Sequence, residues 1–477
     1  MSKFIGMLKC YYARFTLALG LLLLLIAITG GNTPVAHAAS SGDWPTYLYD
    51  LTRSSYNATE TAINSSSASS LKPRWIDRVG GSAGVTISTQ PVTANGLVYW
   101  GSWDGYEHAT NPSNPTSDVW TTFLDQTPYN ANCSPPQAGV ASTAAITSMK
   151  INGKLTSVLF LGGGNGTFYA LNAATGQIIW TRSFGSPSQG YFLWSSPAVY
   201  QGSVYMGVAS WGDCPLIQGE VVRLNASSGS VQNTWYSVPS GCIGGGVWSS
   251  ITIDQATSTL YVGTGTTGSC SVTETYAQAL VALTKTLSLV GSWQVPASQA
   301  VSDGDFGATP TLFSATIGGT VHNMVGLMNK NGIYYAFDRS NVSAGPVWQI
   351  QLSTTPDNFA SSSWDGTRLY LAGNDTMLGG TSCNGTLGMV DPASGSFLWR
   401  DCLSGGKVEG TVTTVPGLAV VGVGSILYAV DAASGQVLFS YQDTSFHWFY
   451  AGPSISNGVM YAPNSDGNFY AFTPNGQ

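Results

Sequence analysis

The sequence contains few charged residues. Lys, Arg, Asp and Glu make up 9% of its 477 residues, against about a quarter in a typical soluble protein. The 24 acidic residues outnumber the 17 basic ones, which gives a formal net charge of −7. Because nucleic-acid binding requires clustered Lys and Arg to neutralise phosphates, this balance argues against nucleic acid as a partner. We expect small or neutral partners.

Histidine is also scarce, and several common cofactor motifs are missing. The four His residues are scattered along the chain, so we do not expect a histidine-rich metal centre. No C-x-x-C or C-x-x-C-H sequence occurs. This argues against zinc and thioredoxin-type sites and predicts that the chain carries no haem. Phosphate-loop and zinc-protease signatures are absent as well.

The longest apolar run, residues 15–28, is too short to span a bilayer, which takes about 20 residues. Basic residues precede it and Ala-His-Ala follows at residues 36–38, as in a secretory signal peptide. We predict a signal peptide over residues 1–38 and a secreted, periplasmic or cell-envelope domain over residues 39–477. An uncleaved membrane anchor is the alternative for the first segment.

Cleavage after residue 38 would remove one of the seven cysteines and leave six. An even number of cysteines in an exported chain predicts disulfide bonds. Cys383 and Cys402 flank the outer strands of one sequence repeat, so we expect them to pair. The pairing of the other four cysteines stays open.

Glycine (58 residues) and tryptophan (15 residues) are abundant, which is typical of a turn-rich β protein. From Pro91 onward one pattern recurs: a small-residue stretch, two strands joined by a tight turn, an Asp/Asn-x-x-[Ser/Thr]-Gly turn, and a strand with an aromatic residue. The closing aromatic residues are Trp75, Trp120, Trp180, Trp235, Trp293, Trp348, Trp399 and Phe439. Their spacing of roughly 40 to 60 residues predicts four-stranded propeller blades.

The repeats can be counted around a closed ring. Seven full repeats run from about Thr89 to Tyr441, and an eighth, from Phe449 onward, lacks its aromatic strand. Residues 71–79 have the form of that missing strand. We therefore predict an all-β, eight-bladed propeller, closed when the N-terminal strand joins the C-terminal blade, because closure removes exposed sheet edges. Residues 43–70 form a polar segment with little predicted regular structure.

Several motifs resemble those of a known family. They are the Asp43-Trp-Pro opening, the Gly244-Gly-Gly-Val-Trp248 and Asp305-Phe-Gly-Ala-Thr-Pro sequences, Asn329-Lys330-Asn-Gly, and repeats such as Tyr169-Ala-Leu-Asn-Ala-Ala-Thr-Gly176. Together they are similar to the quinoprotein alcohol dehydrogenase-like propellers, and most similar to the polyvinyl-alcohol and methanol dehydrogenase types. The sequence repeats of this family are named after pyrroloquinoline quinone (PQQ). The resemblance covers essentially the whole chain after the signal segment.

The resemblance implies roles for three residues. Trp248 falls on the indole against which PQQ stacks, Asp305 on the carboxylate that accepts the alcohol proton, and Lys330 on the cation that contacts the quinone oxygens. Each residue type suits its role: a flat face for stacking, a carboxylate for general-base catalysis, and a fixed positive charge beside a developing anion.

The family's metal site is kept only in part. Thr266 stands where the family has a metal-binding Asn, Asp213 lies near the position of a metal-binding Glu, and Ser88 replaces a second Glu. No two cysteines are adjacent, so the disulfide ring that covers the quinone in the family has no counterpart. The resemblance therefore implies at most a weak calcium site at Asp213 and Thr266, because calcium takes six to eight oxygen ligands.

These features predict an exported PQQ-dependent oxidoreductase that acts on a small alcohol or a polymer; they do not indicate its electron acceptor. The alternative is a noncatalytic propeller that binds a protein, a glycan or a surface polymer. The aromatic segments 446–450 and 190–194 would suit that role, because aromatic rings stack on such ligands. An envelope assembly or scaffold factor is compatible with the same fold.

Overall fold

The computed structural model describes residues 42–79 and 84–477. The strands in these ranges form eight antiparallel sheets, which confirms the predicted all-β, eight-bladed propeller. The predicted signal peptide, residues 1–38, lies outside the described residues. Within those ranges, no helix is long and apolar enough to cross a membrane.

The first described strand, β1 (Leu71–Arg78), belongs to the last blade, and the next blades follow in chain order. Blade 1 consists of β2 (Val92–Ala94), β3 (Leu97–Gly101), β4 (Tyr106–Asn111) and β5 (Asn114–Phe123), and blade 2 of β6 (Ala145–Ile151), β7 (Lys154–Gly162), β8 (Thr167–Asn172) and β9 (Ile178–Ser183). Blade 3 consists of β10 (Tyr191–Phe192), β11 (Ala198–Tyr200), β12 (Ser203–Ser210), β13 (Glu220–Asn225) and β14 (Val231–Tyr236). Blade 4 consists of β15 (Thr252–Asp254), β16 (Thr259–Gly263), β17 (Ala279–Thr284) and β18 (Leu289–Gln294).

Blades 5 to 8 follow the same plan. Blade 5 consists of β19 (Thr311–Ile317), β20 (Thr320–Met328), β21 (Ile333–Asp338) and β22 (Trp348–Gln351), and blade 6 of β23 (Ser363–Trp364), β24 (Leu369–Leu378), β25 (Thr381–Val390) and β26 (Phe397–Leu403). Blade 7 consists of β27 (Thr413–Val415), β28 (Leu418–Val423), β29 (Ile426–Asp431) and β30 (Val437–Gln442). Blade 8 contains β31 (Ser454–Ser456), β32 (Val459–Pro463) and β33 (Asn468–Pro474) in addition to β1. Short 3-10 helices cover Ala68–Ser70, Pro187–Gln189 and Val342–Ala344.

The eighth sheet is built from both ends of the described chain. Its strand order is β1-β33-β32-β31, and β1 pairs antiparallel with β33, with Trp75 opposite Ala471. The outer strand of this blade therefore comes from the start of the fold, and its three inner strands come from the end.

Consecutive blades are fastened together by the aromatic residue of the outer strand. The Trp180 Nε1–H of blade 2 donates to the carbonyl of Ala226 in blade 3 at 3.0 Å, and the Trp348 Nε1–H makes the same contact with Pro392 one blade further on. The repeat glycine of the receiving turn lies under the indole. Gly229 has φ +68°, and a Cβ at this position would collide with Trp180. This contact explains why the repeat turns that end in Gly176, Gly229, Gly395 and Gly435 each receive an aromatic ring from the preceding outer strand.

A second set of contacts, which we call the hydroxyl belt, joins blades near the axis. In blades 2 to 6, the small-residue stretch before the inner strand places a hydroxyl where it accepts a backbone N–H of the preceding blade. The belt runs from Gln90 N–H to Thr143 Oγ1, Thr143 N–H to Ser196 Oγ, Ser196 N–H to Ser250 Oγ, Ser250 N–H to Thr309 Oγ1 and Thr309 N–H to Ser361 Oγ, at 2.8 to 3.1 Å. Because the bonds are buried, each one satisfies a backbone group that water cannot reach.

Residues 43–57, which we call the plug, lie at the centre of the ring. The plug hydrogen bonds to the inner strand of every blade or to the residues that lead into it. The blade groups, in order from blade 1 to blade 8, are Thr93, Ile146, Pro197, Ile253, Leu312, Trp364, Thr414 and Ile455. The polar segment predicted over residues 43–70 therefore begins as an ordered axial element. Six of these eight contacts use backbone carbonyls of the plug, and the Arg53 guanidinium and the Asn57 amide make the other two.

Strand direction determines which loops share a face. Because neighbouring strands are antiparallel, the loops that enter each inner strand meet the loops between the second and third strands at one end of the ring. The glycine turns of the repeats lie at the opposite end. The first face therefore collects the irregular loops, and these hold the predicted site residues.

Three disulfide bonds reinforce the described fold. Cys383 pairs with Cys402 as predicted, and the open pairings are Cys133 with Cys214 and Cys242 with Cys270. The last two each join a loop that enters an inner strand to a loop between second and third strands. They therefore lie on the same face as the predicted site residues.

The indole-on-glycine contact can be tested with two glycines of one blade. Gly229→Ala should lower stability by about 1 to 3 kcal/mol through the clash with Trp180, in addition to about 1 kcal/mol for its left-handed backbone. Gly202→Ala, with φ +75° and no atom within 4 Å of the added Cβ, should show the backbone cost alone. Urea unfolding of both variants measures the difference; equal losses would contradict the packing role of the indole.

Candidate functional site

An axial cavity of about 630 Å³ opens among the loops of this face. Each blade contributes to it the residue four positions before its inner strand. In blades 1 to 6 this residue stands two positions before the belt residue, and side chains two apart in an extended chain point the same way. These eight residues are Ser88, Ala141, Trp194, Trp248, Gly307, Phe359, Glu409 and Tyr450, and all line the cavity. Tyr47 of the plug lines it as well.

Trp248 stands on the wall formed by blades 4 and 5. Gly307, the next blade's residue at this position, has no side chain, and a Cβ there would collide with the indole. The Phe359 ring meets the Trp248 ring edge-on, with 5.8 Å between centroids. The indole Nε1–H donates to Asp305 Oδ2 at 3.1 Å, so the orientation of the ring is fixed from three sides.

Asp305 is nearly enclosed and makes three hydrogen bonds. Its Oδ1 accepts the backbone N–H of Thr266, and its Oδ2 accepts the Trp248 indole and the Lys330 ammonium, the latter at 2.9 Å. Burial raises the pKa of Asp305 above its ordinary value, and the Lys330 charge opposes that rise. The carboxylate is therefore a stronger base than an exposed aspartate and is held ionised by its donors.

Lys330 bridges two carboxylates instead of pointing into solvent. It lies in the turn between β20 and β21, and its Nζ contacts Asp303 Oδ2 at 2.8 Å as well as Asp305. The same Nζ lies 5.3 Å from the Trp248 ring centroid. Burial lowers the pKa of Lys330, but the two carboxylates raise it by more. Its positive charge is therefore fixed beside the indole.

The three predicted residues Trp248, Asp305 and Lys330 thus meet in one cluster. Asp213 and Thr266 line the same cavity, but their oxygens have other partners. Asp213 Oδ1 accepts the Ser210 hydroxyl, and Thr266 Oγ1 accepts the Gln278 amide at 3.3 Å. In the described ranges no group of three or more His, Cys, Asp and Glu residues could hold a metal ion. This donor set does not fit calcium, which takes six to eight oxygen ligands.

A second polar group, not foreseen from the sequence, faces the cavity from blades 7 and 8. Glu409 lies beside the Tyr450 side chain and near Asp357 and Lys407. Burial raises the pKa of Glu409 to about 7, while Lys407 opposes the rise. The sequence signal for Glu409 is its repeat register, since it takes the position that Trp248 takes three blades earlier.

Comparison with known protein families shows which family the chain belongs to. Residues 44–367 match the family model for the glucose/ethanol/alcohol dehydrogenase β-propeller domain. The chain belongs to this family. A second model, for the outer membrane protein assembly factor BamB, matches residues 383–476.

Two curated relatives are quinohemoprotein alcohol dehydrogenases. The protein from Comamonas testosteroni is 24% identical over 349 residues, which is 64% of this chain and 46% of that protein. The enzyme ADH IIB from Pseudomonas putida is 28% identical over 222 residues, 38% of this chain and 31% of that protein. The chain thus matches less than half the length of each, and the predicted lack of haem stays a prediction.

Solved structures share the fold at low identity. The Comamonas testosteroni enzyme superimposes with a TM-score of 0.72 at 18% identity, covering 93% of this chain and 82% of that one. A europium-containing methanol dehydrogenase gives 0.70 at 15% identity, covering 91% and 98%. BamB from Moraxella catarrhalis gives 0.54 at 16% identity, covering 84% and 99%.

Removing the Lys330 ammonium should show how much its charge stabilises the ionised, buried Asp305. Lys330→Met leaves a buried aspartate without its counter-charge, which costs about 3 kcal/mol at pH 8. Its pKa then rises further, so the protonated form persists at pH 5 and the loss of stability should be smaller there. Thermal unfolding at both pH values measures this.

The double variant Lys330→Met with Asp305→Asn is the control for this experiment. It has no buried charge at either position, so most of the additional pH dependence should vanish. A pH dependence as large as in the single variant would show that another group is responsible.

Proposed function

We propose that the axial cavity binds PQQ and that the protein oxidises an alcohol there. The observation that carries this proposal is the contact of Trp248, Asp305 and Lys330 in one cavity of a propeller that belongs to a dehydrogenase family. Bound against the indole, PQQ would supply the acceptor for the hydride of the alcohol.

The cavity suits a planar quinone in size and surface. Its volume lies within the range of about 300 to 1,000 Å³ that is usual for small-molecule sites. The half-buried Trp248 offers a flat face beside a fixed ammonium, and Ser88, Thr143 and Thr309 bring hydroxyl groups to the same cavity. These residues would hold the ring and its oxygens.

The protein's own groups then handle the proton. Asp305 accepts the hydroxyl proton of the alcohol, since burial raises the pKa of this carboxylate and so makes it a better base. The Thr266 N–H and the Trp248 indole hold the carboxylate in place. Lys330 keeps a positive charge next to the acceptor, where negative charge develops.

Lys330 also occupies the electrostatic place that a divalent cation would take. Its ammonium neutralises Asp303 and Asp305 at 2.8 and 2.9 Å. We therefore expect cofactor binding without a calcium ion at Asp213 and Thr266.

We also propose that the protein is exported from the cytoplasm. Three disulfide bonds suit an oxidising compartment. The alternative function is a noncatalytic propeller that binds a protein, glycan or polymer. The BamB match over residues 383–476 and the exposed Phe446 ring favour it.

A PQQ titration followed by tryptophan quenching tests the proposal. We expect saturable, stoichiometric binding that chelator does not change, and loss of quenching in Trp248→Ala. An absence of binding at micromolar PQQ would overturn the dehydrogenase proposal and support the noncatalytic alternative.

Asp305→Asn tests the catalytic base. It should reduce dye-linked alcohol oxidation by roughly 100-fold to 10,000-fold while PQQ affinity changes little. The matched control is Asp303→Asn, which removes the other carboxylate on Lys330, half-exposed and two residues away. The control should keep most of the rate; equal losses in both variants would place the effect in Lys330.

Glu409 should make PQQ binding depend on pH. Its pKa of about 7 means that it gains a negative charge between pH 6 and pH 8, and this charge repels the carboxylates of PQQ. The dissociation constant should therefore rise over this interval in the wild type and stay flatter in Glu409→Gln. The same slope in both proteins would contradict the assignment.

A further inference from the structure

Two loops form a cover at the mouth of the cavity. The first, residues 124–144, joins β5 of blade 1 to β6 of blade 2 without regular structure, and the second, residues 211–219, joins β12 to β13 of blade 3. Irregular loops of more than about 15 residues are uncommon in compact domains and often act as lids or binding loops. We call these two loops the cover.

The cover reaches the cavity from both loops. Ser134 and Pro135 of the first loop and Gly212 and Asp213 of the second line the cavity. The loops contact each other directly, because the Trp211 indole N–H donates to the Pro135 carbonyl at 3.1 Å. A side chain at Gly212 would collide with the backbone of Ser134. The two loops therefore behave as one packed layer.

The Cys133–Cys214 disulfide joins the two loops at this point. Each cysteine is the direct neighbour of a cavity-lining residue, Ser134 on one side and Asp213 on the other. Cys133 also packs in a buried cluster with Ala138, Phe192 and Trp211. The crosslink connects loops that are 81 residues apart in sequence and that have no strand pairing between them.

The Cys383–Cys402 disulfide offers a contrast within the same chain. It crosslinks β25 and β26, which are already paired as neighbouring strands of blade 6. Its neighbours Ser382, Asn384 and Leu403 line a separate surface groove and not the axial cavity. Removing it changes a blade edge but leaves the cavity loops untouched.

We propose that the Cys133–Cys214 disulfide holds the cover closed over the axial cavity and thereby sets how slowly a bound planar ligand leaves. The disulfide is a positioning element, since it acts through its cavity-lining neighbours Ser134 and Asp213. The identity of the ligand as PQQ rests on the proposed function, whereas the closure of the cover does not.

The test compares two double variants, Cys133→Ser with Cys214→Ser and Cys383→Ser with Cys402→Ser. Hydrogen exchange of the PQQ-free proteins reports on the cover itself. The first variant should exchange at least tenfold faster in residues 124–144 and 211–219, and the second should match the wild type there. PQQ release, followed by recovery of tryptophan fluorescence, should be at least tenfold faster in the first variant only.

The outcomes separate the two proposals. Wild-type exchange in both loops of the first variant would overturn the role of the disulfide, because the cover would stay closed without it. If the wild type binds no PQQ, the proposed function fails while the exchange result still decides on the cover. Should the first variant not fold, folded wild type is reduced with dithiothreitol, alkylation locates the opened pair, and the same exchange is measured.

Discussion

The plug is the element on which the ring of blades and the cavity both depend. Its polar groups meet the inner strand of every blade, and Arg53, fully buried, donates to the carbonyls of Tyr47, Pro197 and Ile251. A buried charge is tolerated only when its hydrogen bonds are made. Leu48 and Tyr49 adopt positive φ angles that such residues seldom take, so the contacts with the blades hold the plug in a conformation it would not adopt alone.

The chemistry of the site follows from how tightly the charges of Asp303, Asp305 and Lys330 are paired. Lys330 serves two carboxylates, so the cluster keeps one net negative charge beside a flat indole. Burial strengthens Asp305 as a base, while the donors around it prevent the neutral form from dominating. Such a balance would be lost in an open, hydrated surface loop, which is why the enclosing loops matter as much as the three residues.

Much of the fold could be predicted from the sequence because each repeat carries its own local signals. Tryptophan and glycine recur at the positions where blades contact, so the blade number and the meeting of Trp248, Asp305 and Lys330 followed from register and family resemblance. The plug, the hydroxyl belt and Glu409 were not foreseen. The partners of the plug and the belt in other blades lie about 50 to 400 residues away, and no local pattern reports such contacts. The Asn-Lys-Asn-Gly turn shows the same limit: such a turn is typical of a solvated hairpin tip, yet the Lys330 ammonium contacts Asp303 and Asp305 of another loop.

The plug also restricts how this protein could have changed over evolutionary time. Propellers can grow or shrink by duplication or loss of a repeat, since one blade packs on the next in the same way everywhere. Here a segment of fifteen residues, 43–57, has one set of partners for each of eight blades. A ninth blade would find no hydrogen-bond partner in the plug. A ring of seven blades would leave polar groups of the plug buried without a partner. The plug thus fixes the number of blades at eight. Insertion of a single repeat should be selected against even where every contact between blades is preserved.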